Sequence, residues 1–331
     1  VRIAIFLLAM VCRAQPFDVK WTAAKCPGCK FTHILWDLQF VDESHAWGIG
    51  SRMPHSAPEF VVVHSEDGGR IWRERRETYQ YAYAPTVFFL DQQRGWMAYA
   101  NVTLISTSVV STPDGGKTWS LAANEWLRSM HLFDGLHGLA SRNEVDGYGQ
   151  MIFTRDGGKH WIASNAPRLR WGTVVWTGNG RAILRGEHDG RAVLLKTQDA
   201  GEKWAETALP EKPKFLSFFD ADHGWLIAKQ EGAFASYRTT DGGVTWSRGG
   251  DVHAQESIGV QDSMFALSAN IALISVRSGP THYFYTLDGG AQWTKFSMAY
   301  EINACQLFQG SLRCAASLNG KMGIVTLSRR Q

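Results

Sequence analysis

No excess of charge of either sign marks this chain of 331 residues. Its 34 Lys and Arg stand against 31 Asp and Glu, a formal +3, and the basic residues form no long stripe. That excludes the electrostatic footprint of a nucleic-acid binder. After residue 14 no apolar run approaches the length of a transmembrane span. The phosphate-cradling P-loop, the GxSxG nucleophile elbow and the zinc-binding HExxH are all missing. Cysteine is scarce, at five residues. Cys26-Pro27-Gly28-Cys29 is a CxxC with no His after it, which excludes covalent haem attachment.

What the chain does have is repetition. Thr239-Thr240-Asp241-Gly242-Gly243-Val244-Thr245-Trp246 recurs, as Ser/Thr-x-Asp-x-Gly-x-x-Trp, at residues 65–72, 112–119, 154–161, 197–204 and 286–293. The fourth copy carries Ala200 where the others have a first Gly. The aspartates Asp67, Asp114, Asp156, Asp199, Asp241 and Asp288 are 47, 42, 43, 42 and 47 residues apart, a period that signals a repeat architecture. An Asp that accepts from its own backbone, followed by glycines free to take positive φ, makes a tight turn between antiparallel strands. The Trp opens the next strand with a large apolar body. Six near-identical copies are turn formers, since they cannot all be one active site.

A second element precedes each copy. Phe40-Val41-Asp42 followed by Ala46-Trp47 is matched at 89–96, 132–139 and 218–225, with weaker versions at 176–183, 265–272 and 307–313. An apolar run, a polar turn and a second apolar run make a hairpin. Two hairpins per period give a four-stranded antiparallel meander, the size of one propeller blade. Seven hairpins against six boxes leave one blade short of a strand, which the N-terminus can supply. Trp21 lies 19 residues before Phe40, as Trp246 lies 19 before Phe265. Residues 17–21 are therefore expected beside 324–328, with Trp21 in the place of a box Trp. The expectation is an all-β, seven-bladed propeller over residues 15–331, its ring closed by the N-terminal strand so that no sheet edge is left open.

Residues 1–14 read as a signal peptide: Arg2, an apolar stretch too short to span a bilayer, and a small-x-small site at 12–14. A buried first strand is the alternative, and Val11 is too large for the position before a lipidated Cys12. The chain is then expected in the periplasm or outside the cell, as a monomer. Cys26, Cys29, Cys305 and Cys314 suit that oxidising setting. Cys305 and Cys314 flank the Gln309-Gly310 turn symmetrically. Two local disulfides are the leading reading; a four-cysteine metal site and a redox-active CxxC are alternatives.

These boxes resemble the Asp-box, or BNR, repeats of sialidases, sortilin-type receptors and photosystem II assembly-factor propellers. The assembly-factor-like group is the nearest in length, export signal and the Phe-x-Asp hairpin beside the box. That resemblance implies a non-catalytic propeller that binds a protein. The sialidase branch implies a carbohydrate-binding or glycoside-hydrolysing alternative. Its Phe/Tyr-Arg-Ile-Pro motif is absent here, so no catalytic residue carries over. Neither cofactor nor metal is called for. Glu144, Asp146, Glu187 and Asp189 are carboxylates that a glycosidase arrangement would need to pair.

The meander sends the Asp-box turns to one end and the more variable loops to the other, where binding usually resides. Arg52 and His55 lie in one such loop, Arg142 and Tyr148 in another, His188 in a third, and Arg277 and His282 in a fourth. Tyr79, Tyr81 and Tyr83 alternate, so that three rings share a face if the segment is one extended strand; a strand edge packed on the next blade is the other reading. Arg70, Arg73, Arg75 and Arg76 read as a solvated blade edge. The partner's identity, glycan binding and any link to photosynthesis are not legible.

Overall fold

The computed structural model describes residues 17–29, 32–52, 59–80, 82–101, 106–143, 148–178, 180–230, 233–253, 263–277 and 281–330, and among them every regular element is a β-strand. The segment read as a signal peptide lies outside the described residues. Strands pair antiparallel with their sequence neighbours, giving five four-stranded sheets and one of eight strands. The first sheet takes Thr32–Phe40, Ala46–Arg52, Glu59–Ser65 and Trp72–Gln80 in that order. The eight-stranded sheet is two such meanders, 127–163 and 169–208, joined where Tyr148 and Gly149 pair with Arg170 and Leu169.

The last sheet is completed from the other end of the chain. Phe17–Ala23 pairs with Lys321–Arg329 in unbroken register, from Phe17↔Arg329 to Ala23↔Gly323. The expected strand is there, but Trp21 does not take a box Trp's place. Trp72 pairs with Ser65, the last residue of its neighbouring strand, whereas Trp21 sits mid-strand opposite Val325 and stacks on Tyr300 at 5.1 Å. Phe17, at the strand's start and only 3% exposed, is the ring that packs on Tyr285 and Phe296 of the preceding sheet.

Apolar alternation puts the core between sheets rather than inside any one. Trp47, Ile49 and Val62 of the first sheet pack with Val87, Phe89 and Met97 of the second. Similar clusters join each sheet or meander to its successor, and one joins Leu35, Leu38 and Phe40 to Ala315, Met322 and Ile324 of the last sheet. Side-chain amides reinforce two of these junctions. Gln39 exchanges hydrogen bonds of 2.7 Å with the Phe89 backbone, and Gln306 exchanges bonds of 2.5 and 3.2 Å with the backbone of Phe40. Each amide mimics one rung of a strand ladder where the sheets are too splayed to form one.

Both local disulfides are present, Cys26–Cys29 and Cys305–Cys314, the latter directly opposed across paired strands. Two expectations need correction. Tyr79 ends an outer strand (Trp72–Gln80) of the first sheet, while Tyr83 lies in Ala82–Phe89, which begins the second. The tyrosine run is split between two sheets and is not one extended strand; Tyr81 lies outside the described residues. Arg75 is not a solvated edge residue either. It is mostly buried and its Nη2 lies 3.0 Å from Glu66 and 3.1 Å from His64 Nδ1, against the next sheet's turn.

Candidate functional site

The two ends of the sheets differ in chemistry, and the turns show why. In the box at 239–246 the Thr239 hydroxyl donates to Asp241 Oδ1 at 2.8 Å and accepts from Gly243 N at 2.8 Å. Asp241 accepts from the Thr245 amide and hydroxyl, at 2.9 and 2.6 Å, bonds that hold its carboxyl down at about 2. Gly242 N then donates to the Asp222 carbonyl of the neighbouring hairpin turn at 2.7 Å. The same link recurs from Gly68, Gly115, Gly157, Ala200 and Gly289, so box and hairpin turns share one end. Ala200 adopts φ 58° there, showing that this backbone conformation is enforced even without glycine. The polar groups of each box turn are therefore spent on one another and on the hairpin turn beside it.

The opposite end holds the variable loops. Of the residues expected there, His55 lies outside the described set. Arg52 and Arg277 end strands Ala46–Arg52 and Ala272–Arg277, and His282 begins Thr281–Thr286 next to that second loop. These sit in the first and sixth meanders and are not brought beside the others.

The eight-stranded sheet brings Arg142 and Tyr148 to one face, while His188, next after Glu187 in its strand, falls on the other. Tyr148 pairs with Arg170 and Arg170 with Glu187, so one row of side chains crosses the joint between meanders; Arg142, opposite Gln150, stands in the next row on the same face. Arg142 Nη2 donates to Gln150 Oε1 at 2.8 Å and its Nη1 lies 3.7 Å from Glu125. Tyr148 is 41% exposed, with the Arg168 guanidinium 5.6 Å from its ring. His188 Nδ1 lies 2.9 Å from Glu206. Beyond the row, Arg170, Arg185, Glu187, Lys212 and Pro213 line a cleft of about 170 Å³. Lys212 pairs with Glu187 at 3.1 Å; burial pushes the Arg185 guanidinium below its ordinary value, and its Nη1 donates to the Lys214 carbonyl.

Trp126, 46% exposed in the crossover before Leu127–Leu132, stands at the same end and was missed from sequence. Its signal was available, because the boxes and hairpins account for nine of the fourteen Trp and Trp126 is among the rest. Arg168, Arg170 and Lys212 were missed because only the joint between meanders gathers them. Glu144 and Asp146 lie outside the described residues. Among the described residues no cluster of His, Cys, Asp and Glu could hold a metal ion. An aromatic and cationic row with its own carboxylates can stack on planar groups and hydrogen-bond an extended backbone or acidic side chains.

Comparison with known proteins places this geometry. The family model for the BNR/Asp-box repeat matches residues 237–248. No curated protein matches the sequence. Among solved structures, YCF48 bound to D1 peptide is 16% identical with a TM-score of 0.64, over 96% of this chain and 98% of that one. YCF48 from Cyanidioschyzon merolae is also 16% identical, with a TM-score of 0.63 over 93% and 98%. The GH74 enzyme of Niastella koreensis is 12% identical with a TM-score of 0.58, over 88% of this chain and 51% of that one. At such identities the likeness is one of fold. The chain carries the BNR/Asp-box repeat on a β-propeller that is similar, over nearly its whole length, to YCF48.

Proposed function

We propose that this protein is an exported, non-catalytic propeller of seven blades that captures a segment of a partner protein on its loop face. The observation that carries the reading is the row Tyr148, Arg170 and Glu187 across the joint of the eight-stranded sheet, with Arg142 on the same face, Lys212 paired to Glu187 and exposed Trp126 at the same end. Tyr, Trp and Arg are the residue types that dominate binding at interfaces, and here rigid strands rather than loose loops hold three of them. The blade count rests on the meanders together with the last sheet's N-terminal strand, and on the core clusters that run from each meander to the next and back to the first. The fold's likeness to YCF48, solved with a D1 peptide, supports a peptide-sized ligand. The two disulfides support an oxidising compartment.

A displayed peptide library, selected on the purified protein, tests the reading. Selected peptides should lose about 30-fold in affinity on Tyr148→Ala or Trp126→Ala, the effect of removing one hot spot of ~2 kcal/mol. Unchanged affinity in both variants would remove the site. The exposed rings of Trp126 and Tyr148, at an end that also holds Glu187, favour a second reading, a glycan platform. Turnover of any member of a glycoside panel by the unmodified protein would replace the first reading with that one.

A further inference from the structure

The junction between the last and first sheets holds a second concave site, on the Asp-box end and away from the loop face. A cleft of about 240 Å³ opens there, with Lys20, Arg70 and Arg313 in its wall beside Glu43 and Asp67. The three cations come from three parts of the chain. Arg313 pairs with Thr326, and Thr326 pairs with Lys20, so these side chains form a row across adjacent strands of the last sheet. Arg70 arrives from the first sheet's box.

Arg313 is held as a binding group is held. Its side chain is 13% exposed, and its guanidinium lies over two adjoining rings, 4.7 Å from Phe40 and 4.6 Å from Phe308. Nη2 donates to Glu43, while Nε is buried with no acceptor among the described residues. An orphaned donor on a fixed guanidinium is a standing cost unless something accepts from it.

The local charges do not cancel. Glu43 is taken by Arg313. The Asp67 carboxylate is occupied by its own turn, accepting from the Ser65 hydroxyl and from the amides of Arg70 and Ile71. Arg70 Nη1 donates to the Asp67 carbonyl, a neutral acceptor. Lys20 has no ion-pair partner among the described residues, and its strand leaves it exposed. Three cations thus face two carboxylates, and Lys20 is the one without a counter-charge of its own.

We propose that this cleft binds a small oxyanion, a phosphate or a short carboxylate, and that its occupancy holds the N-terminal strand and the first sheet against the last. The volume is below that of ordinary cofactor sites, which limits the ligand to a few heavy atoms. Because the walls come from separate parts of the chain, the ion binds only the assembled junction and stabilises it by mass action.

The test is thermal melting of the full protein at fixed ionic strength, titrating inorganic phosphate or succinate against chloride. A saturable rise in Tm with either oxyanion supports the site, and which one acts identifies the preferred geometry. Lys20→Gln, an exposed strand substitution that leaves the fold intact, should weaken the apparent affinity about tenfold, as loss of one charge-assisted contact would. Arg313→Gln should abolish the rise. No saturable rise, or the same titration in wild type and Lys20→Gln, overturns the proposal. Tyr148→Ala should leave the phosphate titration unchanged, so failure here is separate from failure of the loop-face reading.

Discussion

Asp241 and His131 show how single side chains govern stability in this molecule. Asp241 closes its turn with one carboxylate, through bonds to Thr239 and Thr245. Asp241→Ala should lower the unfolding free energy by about 1–3 kcal/mol, read by denaturant titration, with peptide affinity unchanged because the box lies on the other face. His131 is half-buried, its ring 4.3 Å from Phe88 and 5.2 Å from Trp176, and this desolvation pushes it down to about 4. His64, buried and beside Arg75, is pushed down to about 4 as well. A depressed histidine stays neutral in the fold while the unfolded chain takes up a proton, so stability present above 6.5 is lost as pH falls towards 4. The box carboxylates add a second window. Asp241 at about 2 remains charged when an unfolded Asp of 3.8 is protonated, so stability falls again below pH 4. His131→Phe should make the first decline in a plot of Tm against pH shallower, His64 supplying the remainder, and leave the second in place.

At the level of strands, the sequence was most informative where chemistry repeats. The boxes place their turns at one end because each Gly or Ala amide reaches the hairpin turn beside it, and the Phe-x-Asp spacing foretells that hairpin. Counting offsets misled for Trp21. From box Trp to the next hairpin the chain runs 17 residues at Trp72–Phe89 but 13 at Trp119–Leu132, so equal offsets need not mean equal places. The strand itself was legible because 321–329 needed an outer partner; which ring would fill the inter-sheet gap depended on register, and Phe17 fills it. Phe17→Ala should cost about 3–5 kcal/mol, the usual loss for a buried aromatic, measured by denaturant unfolding. Deleting residues 17–23 should go further and promote self-association, visible by light scattering, since it bares the Lys321–Arg329 edge. A smaller cost of about 2–3 kcal/mol, measured the same way, is expected for Cys305→Ser with Cys314→Ser, which opens a short loop in the same sheet.

For the molecule as a whole, the fold was far more legible than its site. A propeller repeats its core, so each apolar residue is announced several times in the sequence. A binding surface is stated once: Arg142 and Arg170 belong to separate strands that the joint between two meanders brings to one face, and Lys212 comes from a crossover that meets Glu187 only in the fold. The tyrosine run looked like a site because three aromatic residues alternate, yet it straddles the step from one sheet to the next. The pairing of Phe17–Ala23 with Lys321–Arg329 also bears on synthesis. A ribosome delivers the first of these strands about three hundred residues before the second, with Asp18 and Arg330 finally meeting across a separation of 312. Throughout translation the early strand has no native partner, and the intermediate keeps an open edge that chaperones and proteases can recognise. A chain cut short anywhere before residue 321 cannot make the last pairing. The fold thus makes a late stretch of translation the condition for protecting an early one.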